Sequence, residues 1–495
     1  MNFGPQPKKK INISLLHEYF LYFLSTFVHS HQKISIKYMR NILIIGAGRS
    51  TTSLIKYLLD HSEKENLFLT IGDLSLENAQ KLSQDHPRAK GIQLDVFDAP
   101  QRSAAIQAAD IVISMLPARF HIEAAKDCIL YGKNMVTASY VSEEMQALDD
   151  EVKAKGLVFM NEIGVDPGID HMSAMQVIDR IKDAGGKMLM FESFTGGLVA
   201  PESDDNLWHY KFTWNPRNVV LAGHGGTAEF IQEGSYKYIP YHRLFRRTEF
   251  LEIEGYGRFE AYANRNSLKY RSVYGLEDVL TLYRGTMRRV GFSKAWNMFV
   301  QLGLTDDSYV IPDSENLSYR DFVNLFLPYS PTDSVELKMR YALKIDQDDI
   351  MWFKLLELDI FNAEKKIGIE NATPAQALQK ILMDKWTLKS DDKDMIVMYH
   401  KFGYELNGSK HQIDSNMVML GDDQTFTAMA KTVGLPVAIA TLKILNKEII
   451  TPGVQIPITK EVYTPILKEL ETYGVSFKEY EVEYLGYNPK GGASV

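Results

Sequence analysis

Apolar runs alternate with helix-like patterns over the first third of the chain. Unbroken apolar runs are typical of strands buried on both faces of a parallel sheet, and their alternation with helices predicts a doubly wound α/β fold. Ligands of such sheets bind beyond the carboxyl ends of the strands. The predicted strands cover residues 41–45, 67–71, 91–96, 110–116, 134–138 and 157–161.

Beyond Gly185 the apolar runs are separated by longer, aromatic-rich connections, which predicts a second domain with a mixed sheet. Its predicted strands include 188–195, 210–214, 250–254 and 259–262, and the glycine-rich stretch 196–206 is predicted to be a lid or binding loop. Helical periodicity dominates 293–385.

The chain has 495 residues, which exceeds one hydrophobic core and indicates several domains. We expect a disordered or spurious leader (1–38), a dinucleotide-binding domain (39–161), a mixed α/β substrate domain (162–292 and 390–424) with a helical insertion (293–389), and C-terminal helices and a strand that pack back on the first two domains (425–495).

The first predicted strand ends in a glycine turn, which begins at Gly46 and leads into a helix. Free backbone N–H groups and the helix dipole at such a turn favour a pyrophosphate. Thr51 stands at the third glycine position of the dinucleotide fingerprint, which weakens the signal. Asp73 ends the second strand, where a carboxylate binds the ribose 2′-hydroxyl, so we expect NAD, with NADP less favoured.

Other strand ends supply further candidates for ligand contacts, namely Asp95, Val96, Ser114, Met115, Leu116, Ser139 and Tyr140. The segment 162–171 follows the sixth strand, and its glycines and proline hold Asp166 in a turn. We expect Asp166 to bind substrate. Asp170 is predicted only to cap a helix over 171–184.

Nine arginines fall between residues 243 and 289, whereas the rest of the chain after 289 contains only Arg320 and Arg340. Such clustering in an acidic protein favours recognition of carboxylates by paired hydrogen bonds. Arg265 and Arg284 stand in aromatic and glycine settings that favour partial burial.

The net charge of −8 argues against nucleic acid as a partner, and the single cysteine, Cys128, favours a reducing, cytoplasmic compartment. No metal-ligand spacing is present, so no metal is expected. The leader resembles a secretory signal only superficially, because polar residues interrupt its apolar segment and no small-residue cleavage site follows. We expect no membrane partner, with a membrane-surface helix as the alternative.

Several strings resemble, in order and setting, the glutamate-forming saccharopine dehydrogenase family from Met39 to the C-terminus. They are NILIIGAGRS, VISMLPARFH, VTASYVSEEM, NEIGVDPGIDHMSAM, GGLVAPESDDN, YKFTW, NRNS, RGTMR and TAMAKTVGLPVAIA. The resemblance implies an oxidoreductase of lysine metabolism that oxidises saccharopine to glutamate and 2-aminoadipate 6-semialdehyde, or runs the reverse. Asp73 together with the family favours the degradative direction. We also expect a homodimer.

The resemblance also implies site residues. Cofactor contacts would fall on Ala47, Gly48, Arg49, Ser50, Asp95, Val96 and Ala138. Substrate contacts would fall on Ser139, Tyr140, Asp166, Arg265, Arg284, Thr286 and Arg288. Saccharopine carries three carboxylates, which agrees with the arginine cluster, and we hypothesise that Arg265 and Arg288 clamp two of them.

The general base of such an oxidation is left open between Asp166, Lys211 with a pKa lowered by burial, and an ordered water. Two other functions also stay open. One is a related dehydrogenase acting on another amino-acid-derived secondary amine, such as a carboxypolyamine. The other is a non-catalytic regulator that binds NAD.

Overall fold

The computed structural model describes residues 38–484 and 486, so the predicted leader lies, apart from residue 38, outside the described residues. The chain divides into a short unit, Met1–Arg40, and a large unit, Asn41–Val495. All the candidate site residues lie in the large unit.

The first sheet contains seven strands: β1 (Arg40–Ile45), β2 (Leu67–Asp73), β3 (Ala89–Gln93), β4 (Ile111–Ser114), β5 (Asn134–Val136), β6 (Val158–Met160) and β15 (Gly453–Gln455). Their order is β15-β6-β5-β4-β1-β2-β3, and the pairs β2–β3, β1–β4, β4–β5, β5–β6 and β6–β15 are parallel. The predicted parallel sheet is confirmed. The strand order reverses between β1 and β4, which is where such sheets bind ligands.

The helices that connect these strands are α1 (Thr52–Asp60), α2 (Leu76–Ser83), α3 (Ala99–Gln107), α4 (His121–Tyr131), α5 (Glu143–Gln146) and α6 (Asp149–Ala154). Both faces of the sheet are covered. Alternate residues of β1 show this, because Ile42 and Ile44 belong to a buried cluster on one side of the sheet and Leu43 and Ile45 to another on the opposite side.

The second sheet contains β7 (Lys187–Val199), β8 (Ala228–Gln232), β9 (Ser235–Ile239), β10 (Thr248–Ile253), β11 (Gly257–Ala263), β12 (Thr281–Arg289), β13 (Asp394–Leu406), β14 (Ser409–Leu420) and β16 (Lys478–Val482). Its main order is β10-β11-β12-β7-β13-β14-β16, and β8 and β9 form a hairpin beside β12. Only β7 and β12 pair in parallel among the described pairs of this sheet, so the predicted mixed sheet is confirmed.

The remaining helices are α7 (Ile169–Asp183), α8 (Pro216–Val220), α9 (Tyr241–Leu244), α10 (Phe292–Leu302), α11 (Tyr319–Asn324), α12 (Val335–Leu343), α13 (Ile350–Glu357), α14 (Pro374–Trp386), α15 (Ala428–Leu445) and α16 (Lys460–Glu471). The predicted domain boundaries stay predictions. α15 is long and apolar enough to cross a bilayer, but 78% of it is buried inside the protein, as in a core helix.

Two predictions about the second sheet are wrong. Residues 210–214 form no strand, and Phe212 makes only an isolated bridge with Thr387. The predicted loop 196–206 begins too early, because β7 continues through Gly196 and Gly197 to Val199. A Cβ at Gly196 would lie 2.7 Å from the carbonyl oxygen of Met287, so the glycine permits close strand packing instead of marking a loop.

Candidate active site

The glycine turn after β1 is shaped by close backbone contacts. Gly46 has a φ of +104°, and a Cβ there would lie 2.8 Å from the carbonyl oxygen of Met115, so the position requires glycine. Gly48 faces open space, with no heavy atom within 4 Å of where its Cβ would be. The buried Thr51 donates its hydroxyl to the Gly48 carbonyl oxygen at 2.6 Å. The third fingerprint position therefore secures the turn by a hydrogen bond.

Helix α15 packs closely against the turn and the start of α1. A Cβ at Gly434 would lie 2.8 Å from the nitrogen of Leu54 and 3.1 Å from the carbonyl oxygen of Ser50. Close by, the Thr52 hydroxyl donates to the carbonyl oxygen of Thr425 at 2.7 Å. The C-terminal part of the chain thus holds the turn and the start of α1 in place.

Asp73 is bound to the glycine turn itself. Its Oδ2 accepts the backbone N–H of Ala47 at 2.7 Å, and its Oδ1 accepts the N–H of Ser75 at 2.9 Å. Both carboxylate oxygens therefore organise backbone. Each carboxylate oxygen has a second lone pair, so Asp73 can hold the turn and still accept a ribose hydroxyl.

The predicted cofactor residues line one edge of the first sheet. Because β5, β4, β1, β2 and β3 are neighbours in that order, the residues at their carboxyl ends form one row. Ser114 ends β4, whereas Asp95 and Val96 follow β3 instead of ending it. The row comprises Gly46, Ala47, Gly48, Arg49, Ser50, Asp73, Asp95, Val96, Ser114, Met115, Leu116, Ala138 and Ser139.

This row fits the pyrophosphate of a dinucleotide. The backbone N–H groups of Gly48, Arg49 and Ser50 donate to no group of the described residues. They stand where the chain enters α1, so the positive end of the helix dipole lies beside them. Unsatisfied donors next to an open glycine position are what a phosphate anion requires.

Three separate elements bring Tyr140, Asp166 and Arg284 together. Tyr140 follows β5, Asp166 lies in the turn before α7, and Arg284 lies in β12. The Tyr140 hydroxyl donates to Oδ1 of Asp166 at 3.1 Å, and Nη2 of Arg284 donates to the same oxygen at 2.9 Å. Nη2 also donates to Oδ2 of Asp170 at 2.6 Å. The guanidinium, with 4% of its side chain exposed, therefore joins two carboxylates.

Asp170 is more than the helix cap that the sequence predicts. Helix α7 begins at Ile169 with Gly168 as its N-cap residue, so Asp170 lies in the first turn. Its Oδ1 accepts the Gly168 N–H at 2.6 Å, while Oδ2 pairs with Arg284. The prediction that Asp170 is the capping residue is therefore wrong, and it also missed the ion pair with Arg284.

The two carboxylates that Arg284 joins differ in acidity. Burial and the charge of Asp170 raise the pKa of Asp166 above its ordinary value. Burial also opposes the ionisation of Asp170, but His171 and Arg284 outweigh it and lower the pKa of Asp170. Neighbouring acids whose pKa values are pushed apart can hold one proton between them. Asp166 is the member suited to exchange a proton with a ligand.

A buried network that the sequence did not reveal supports this cluster. Oε2 of Glu162 lies 2.9 Å from Nε2 of His171 and accepts the Tyr270 hydroxyl at 3.2 Å. Nδ1 of His171 lies 2.6 Å from the Tyr274 hydroxyl. The guanidinium of Arg284 stacks 4.4 Å from the Tyr270 ring. The only sequence signal was that Glu162 and His171 flank the predicted Asp166 turn.

Arg284, Thr286 and Arg288 lie on one face of β12, because side chains two residues apart along a strand point the same way. The Thr286 hydroxyl donates to Oδ1 of Asn264 at 2.8 Å. At 3.3–3.4 Å per residue, the two arginines begin about 13 Å apart.

Arg288 differs from Arg284 in having no carboxylate partner among the described residues, although only 4% of it is exposed. Its Nη1 donates to the carbonyl oxygen of Met287, and its Nε has no partner in the described part of the chain. The guanidinium stands over the rings of Tyr210, Tyr262 and Phe292 at 5.1, 5.8 and 5.5 Å. Its cross-strand partner is the buried Glu260, whose carboxylate accepts the N–H groups of Gly291 and Ser293 and forms no ion pair with Arg288. A buried cation without a directly paired anion is costly, so this position favours a ligand carboxylate.

Arg265 and Lys211 have other partners. Arg265 is exposed, and its Nη1 donates to the carbonyl oxygen of His224 at 2.9 Å. Lys211 has 1% of its side chain exposed, and its Nζ lies 2.7 Å from Asp392 and 2.9 Å from Asp205. The ammonium is therefore held between two carboxylates.

Two family models match the chain: the saccharopine dehydrogenase NADP binding domain over residues 42–160 and the saccharopine dehydrogenase C-terminal domain over residues 164–475. The chain belongs to the saccharopine dehydrogenase family. The resemblance drawn from the sequence motifs is thereby confirmed.

The relatives of this family differ in length. Saccharopine dehydrogenase (NADP(+), L-glutamate-forming) of Saccharomyces cerevisiae is 32% identical over 458 residues, which are 90% of this chain and 99% of that protein. Mitochondrial alpha-aminoadipic semialdehyde synthase of Rattus norvegicus is 34% identical over 454 residues, or 90% of this chain. The chain spans about half the length of the mammalian relatives it matches, 48% of the rat protein.

A solved structure shares the fold. Apo histidine-tagged saccharopine dehydrogenase (L-Glu forming) from Saccharomyces cerevisiae superposes with a TM-score of 0.81 at 31% identity, covering 90% of this chain and 100% of that one. The α/β fold class with two sheets is therefore confirmed independently of the sequence pattern.

The expectation of NAD as the main cofactor is wrong. The family model that matches the first sheet is described as an NADP binding domain, and fungal relatives from Saccharomyces cerevisiae and Pyricularia oryzae are named as NADP(+) enzymes. Asp73 shows why an acid at this position does not decide the cofactor by itself: its two oxygens hold backbone N–H groups of Ala47 and Ser75, so the residue has a role in the turn whichever dinucleotide binds.

Proposed function

We propose that the protein is an NADP-dependent oxidoreductase of lysine metabolism that oxidises the secondary amine of saccharopine. Hydrolysis of the resulting imine gives L-glutamate and 2-aminoadipate 6-semialdehyde. The observation that carries the proposal is Arg288, a buried guanidinium without a carboxylate partner in the described residues, on the same strand face as the Arg284–Asp166 cluster. The names of the fungal relatives support the same substrate and cofactor.

Saccharopine carries three carboxylates, and the proposed site offers guanidinium groups at separate points. We propose that Arg288 binds one carboxylate, because its own chain leaves it without an anion. We propose the exposed Arg265 as a second clamp, whose Nη1 is used by His224 and whose other N–H groups point away from that bond. Thr286 is proposed as a neutral contact of the substrate, whereas Ser139 is assigned to the cofactor side of the site.

When bound, the dinucleotide supplies the acceptor for the hydride that leaves the carbon next to the amine. The chain supplies the acceptor for the amine proton, and we propose Asp166 for this role, since its raised pKa matches a general base better than an ordinary carboxylate does. Tyr140 and Arg284 orient its Oδ1. The contacts of Lys211 with two carboxylates support a fixed ion pair rather than the base.

The first test measures formation of reduced dinucleotide by the purified protein with saccharopine and either NADP or NAD. We expect turnover with NADP and a lower kcat/KM with NAD. Absence of turnover with saccharopine, but turnover with another secondary amine such as a carboxypolyamine, would replace the proposed substrate. The expectation of the degradative direction depended on NAD as the cofactor, and NAD is not the proposed cofactor. The assay therefore measures both the oxidation of saccharopine and the reverse reaction.

The second test replaces Arg288 by lysine, with Arg289→Lys as the matched control. Arg289 is the next residue of β12, and it too stacks on a ring and donates to a backbone carbonyl. Hydrogen bonds to charged groups contribute roughly 1.5–3 kcal/mol, so we expect the saccharopine KM of Arg288→Lys to rise about ten- to a hundredfold. An unchanged KM, or an equal rise in Arg289→Lys, would reject the clamp.

The third test separates the candidates for the base. We expect Asp166→Asn to lower kcat by about 10²- to 10⁴-fold, and Lys211→Met to reduce stability while the remaining folded enzyme keeps its kcat. If Asp166→Asn retained the wild-type kcat and pH profile, an ordered water would be the base instead. If Lys211→Met lost kcat without losing stability, the lysine would take the role.

The homodimer and the cytoplasmic location stay predictions. Rodent relatives are named as mitochondrial proteins, so the prediction of a cytoplasmic location has less support than the prediction of a homodimer. Sedimentation of the full chain tests the first prediction, and fractionation of cells that express it tests the second.

A further inference from the structure

One imidazole joins the carboxyl ends of two neighbouring strands at the ligand-binding edge. Nδ1 of His121 lies 2.8 Å from the hydroxyl of Ser114, which ends β4. Its Nε2 lies 2.7 Å from the hydroxyl of Ser139, which follows β5. The imidazole is buried, with 4% exposed, whereas Ser139 is only partly buried. The ring therefore connects the interior of the sheet to the edge where ligands bind.

The backbone of Ser139 is held on both sides of its side chain. Its N–H donates to the hydroxyl of Thr137 at 3.3 Å, and its carbonyl oxygen accepts the N–H of Glu162 at 3.0 Å. With the backbone fixed, the direction of the hydroxyl depends on its bond to His121. A free serine hydroxyl rotates among three staggered positions, so this bond selects one of them.

The charge state of the imidazole decides which hydrogen bonds it can form. Burial lowers the pKa of His121 to about 4, so the ring is neutral near neutral pH. A neutral imidazole has one N–H donor and one acceptor nitrogen, so the two serines must take opposite roles. If Nε2 carries the proton, the Ser139 oxygen accepts it and the O–H is left to donate at the ligand edge; in the other tautomer the O–H donates to Nε2 and the oxygen is left to accept. Neither tautomer adds charge there.

We propose that His121 is a positioning residue for the nicotinamide half of the dinucleotide, acting through the hydroxyl of Ser139. The ligand group that this hydroxyl meets is a carboxamide or a ribose hydroxyl, each of which has both a donor and an acceptor and so pairs with an oriented serine hydroxyl in either tautomer. The inference rests on the proposed function only in taking a nicotinamide dinucleotide as the ligand. The adenosine half lies at the other end of the row, beside Asp73 and β3, and does not involve His121.

The test is a binding measurement on the full chain without saccharopine. Affinities of wild type, His121→Ala, Ser139→Ala and the double variant are measured by fluorescence or calorimetry for NADPH and for 2′-phosphorylated ADP-ribose, which lacks the nicotinamide. Loss of one neutral hydrogen bond predicts about two- to tenfold weaker NADPH binding by His121→Ala. Binding of the shorter ligand is expected to stay unchanged.

A double-variant comparison distinguishes action through Ser139 from a general structural effect. If His121 acts through that hydroxyl, His121→Ala adds no further loss in the Ser139→Ala background. Equal weakening of both ligands, or a loss that persists without the serine hydroxyl, overturns the proposal. Should His121→Ala fail to fold, His121→Gln carries the same comparison, since its amide keeps a donor and an acceptor and is expected to bind NADPH within about twofold of wild type.

This experiment is independent of saccharopine turnover. A protein that binds NADPH as expected but leaves saccharopine unchanged would refute the proposed substrate and keep the inference about His121. If the protein oxidises saccharopine but His121→Ala changes the affinities for the two ligands equally, the inference is refuted and the proposed function is kept.

Discussion

Replacing Arg284 by methionine tests the charge balance at the centre of the candidate site. The arginine is 4% exposed, and its Nη2 lies 2.9 Å from Asp166 and 2.6 Å from Asp170. Methionine keeps much of the aliphatic stem and its packing near Tyr270 but removes the only cation that contacts both carboxylates among the described residues. The variant leaves two acidic groups facing each other in a buried setting.

The magnitude follows from the loss of a buried ion-pair partner. Removing one member of such a pair costs roughly 3–5 kcal/mol in free energy of unfolding. Part of this cost is relieved by proton uptake, because burial and Asp170 already raise the pKa of Asp166 and the loss of Arg284 raises it further. The destabilisation is therefore expected to be largest near neutral pH and to shrink as the pH falls and Asp166 becomes protonated.

The assay measures urea unfolding of wild type and Arg284→Met at about pH 7 and about pH 5, with tryptophan fluorescence as the readout. Arg289→Met is the matched control, since Arg289 lies on the same strand and contacts a ring and a backbone carbonyl but no carboxylate of the described residues. We expect its loss to be about 1 kcal/mol and independent of pH. If Arg284→Met cost no more than the control, or the same at both pH values, the carboxylates would not depend on the guanidinium.

Two further predictions concern buried positions outside the proposed chemistry. Burial lowers the pKa of His400 from 6.5 to about 4, so stability is present above about pH 6.5 and lost as the pH falls through 4, by roughly 3 kcal/mol; His400→Phe is expected to flatten this part of the stability curve, and parallel curves would contradict it. Gly434→Val is expected to weaken NADPH binding about tenfold or more, because even a Cβ would lie 2.8 Å from Leu54 and 3.1 Å from Ser50; unchanged affinity would show that α15 does not hold the turn.

Most strands of the first sheet could be predicted from the sequence because they are buried on both faces. Ile111–Ser114 is buried at every position, and such strands appear as apolar runs that end at polar or glycine residues. The edge strand β3, Ala89–Gln93, has no buried position, and its predicted bounds of 91–96 are shifted toward the C-terminus. β15, Gly453–Gln455, was not predicted; it is contributed by the C-terminal part of the chain. β5 and β6 are as short but lie within longer apolar runs, whereas Pro452, Gly453 and Pro457 interrupt the sequence around β15, and its place beside β6 is decided by tertiary packing.

The second sheet was harder because its strands carry glycine and charge. Gly196 and Gly197 suggested a loop, but they allow β7 to pass close to Met287 and Met429. β12 was not predicted, since arginines interrupt its apolar residues. Local propensity disfavours both segments as strands, and the contacts that override it come from residues far away in the chain.

The site residues were predicted by position more securely than by role. Placing Asp73 at the end of β2 was correct, but the spacing could not show that Ala47 and Ser75 would occupy its oxygens. Asp170 was assigned to a helix cap because its sequence neighbours favour one, and its partner Arg284 lies more than a hundred residues away. Hydrogen-bond partners of this kind follow from the fold and cannot be found from local pattern.

The two arginines of β12 show what the arginine cluster in the sequence means physically. Arg284 is matched by two carboxylates of its own chain, so its charge is already balanced. Arg288 is buried to the same extent, but none of the described residues supplies a carboxylate for it. An unpaired buried charge is destabilising, and the rings around Arg288 and the neighbouring Glu260 offset only part of that cost, so a ligand carboxylate would stabilise it further. The imbalance between these two residues, rather than the number of arginines, is therefore the stronger argument that the substrate is an anion.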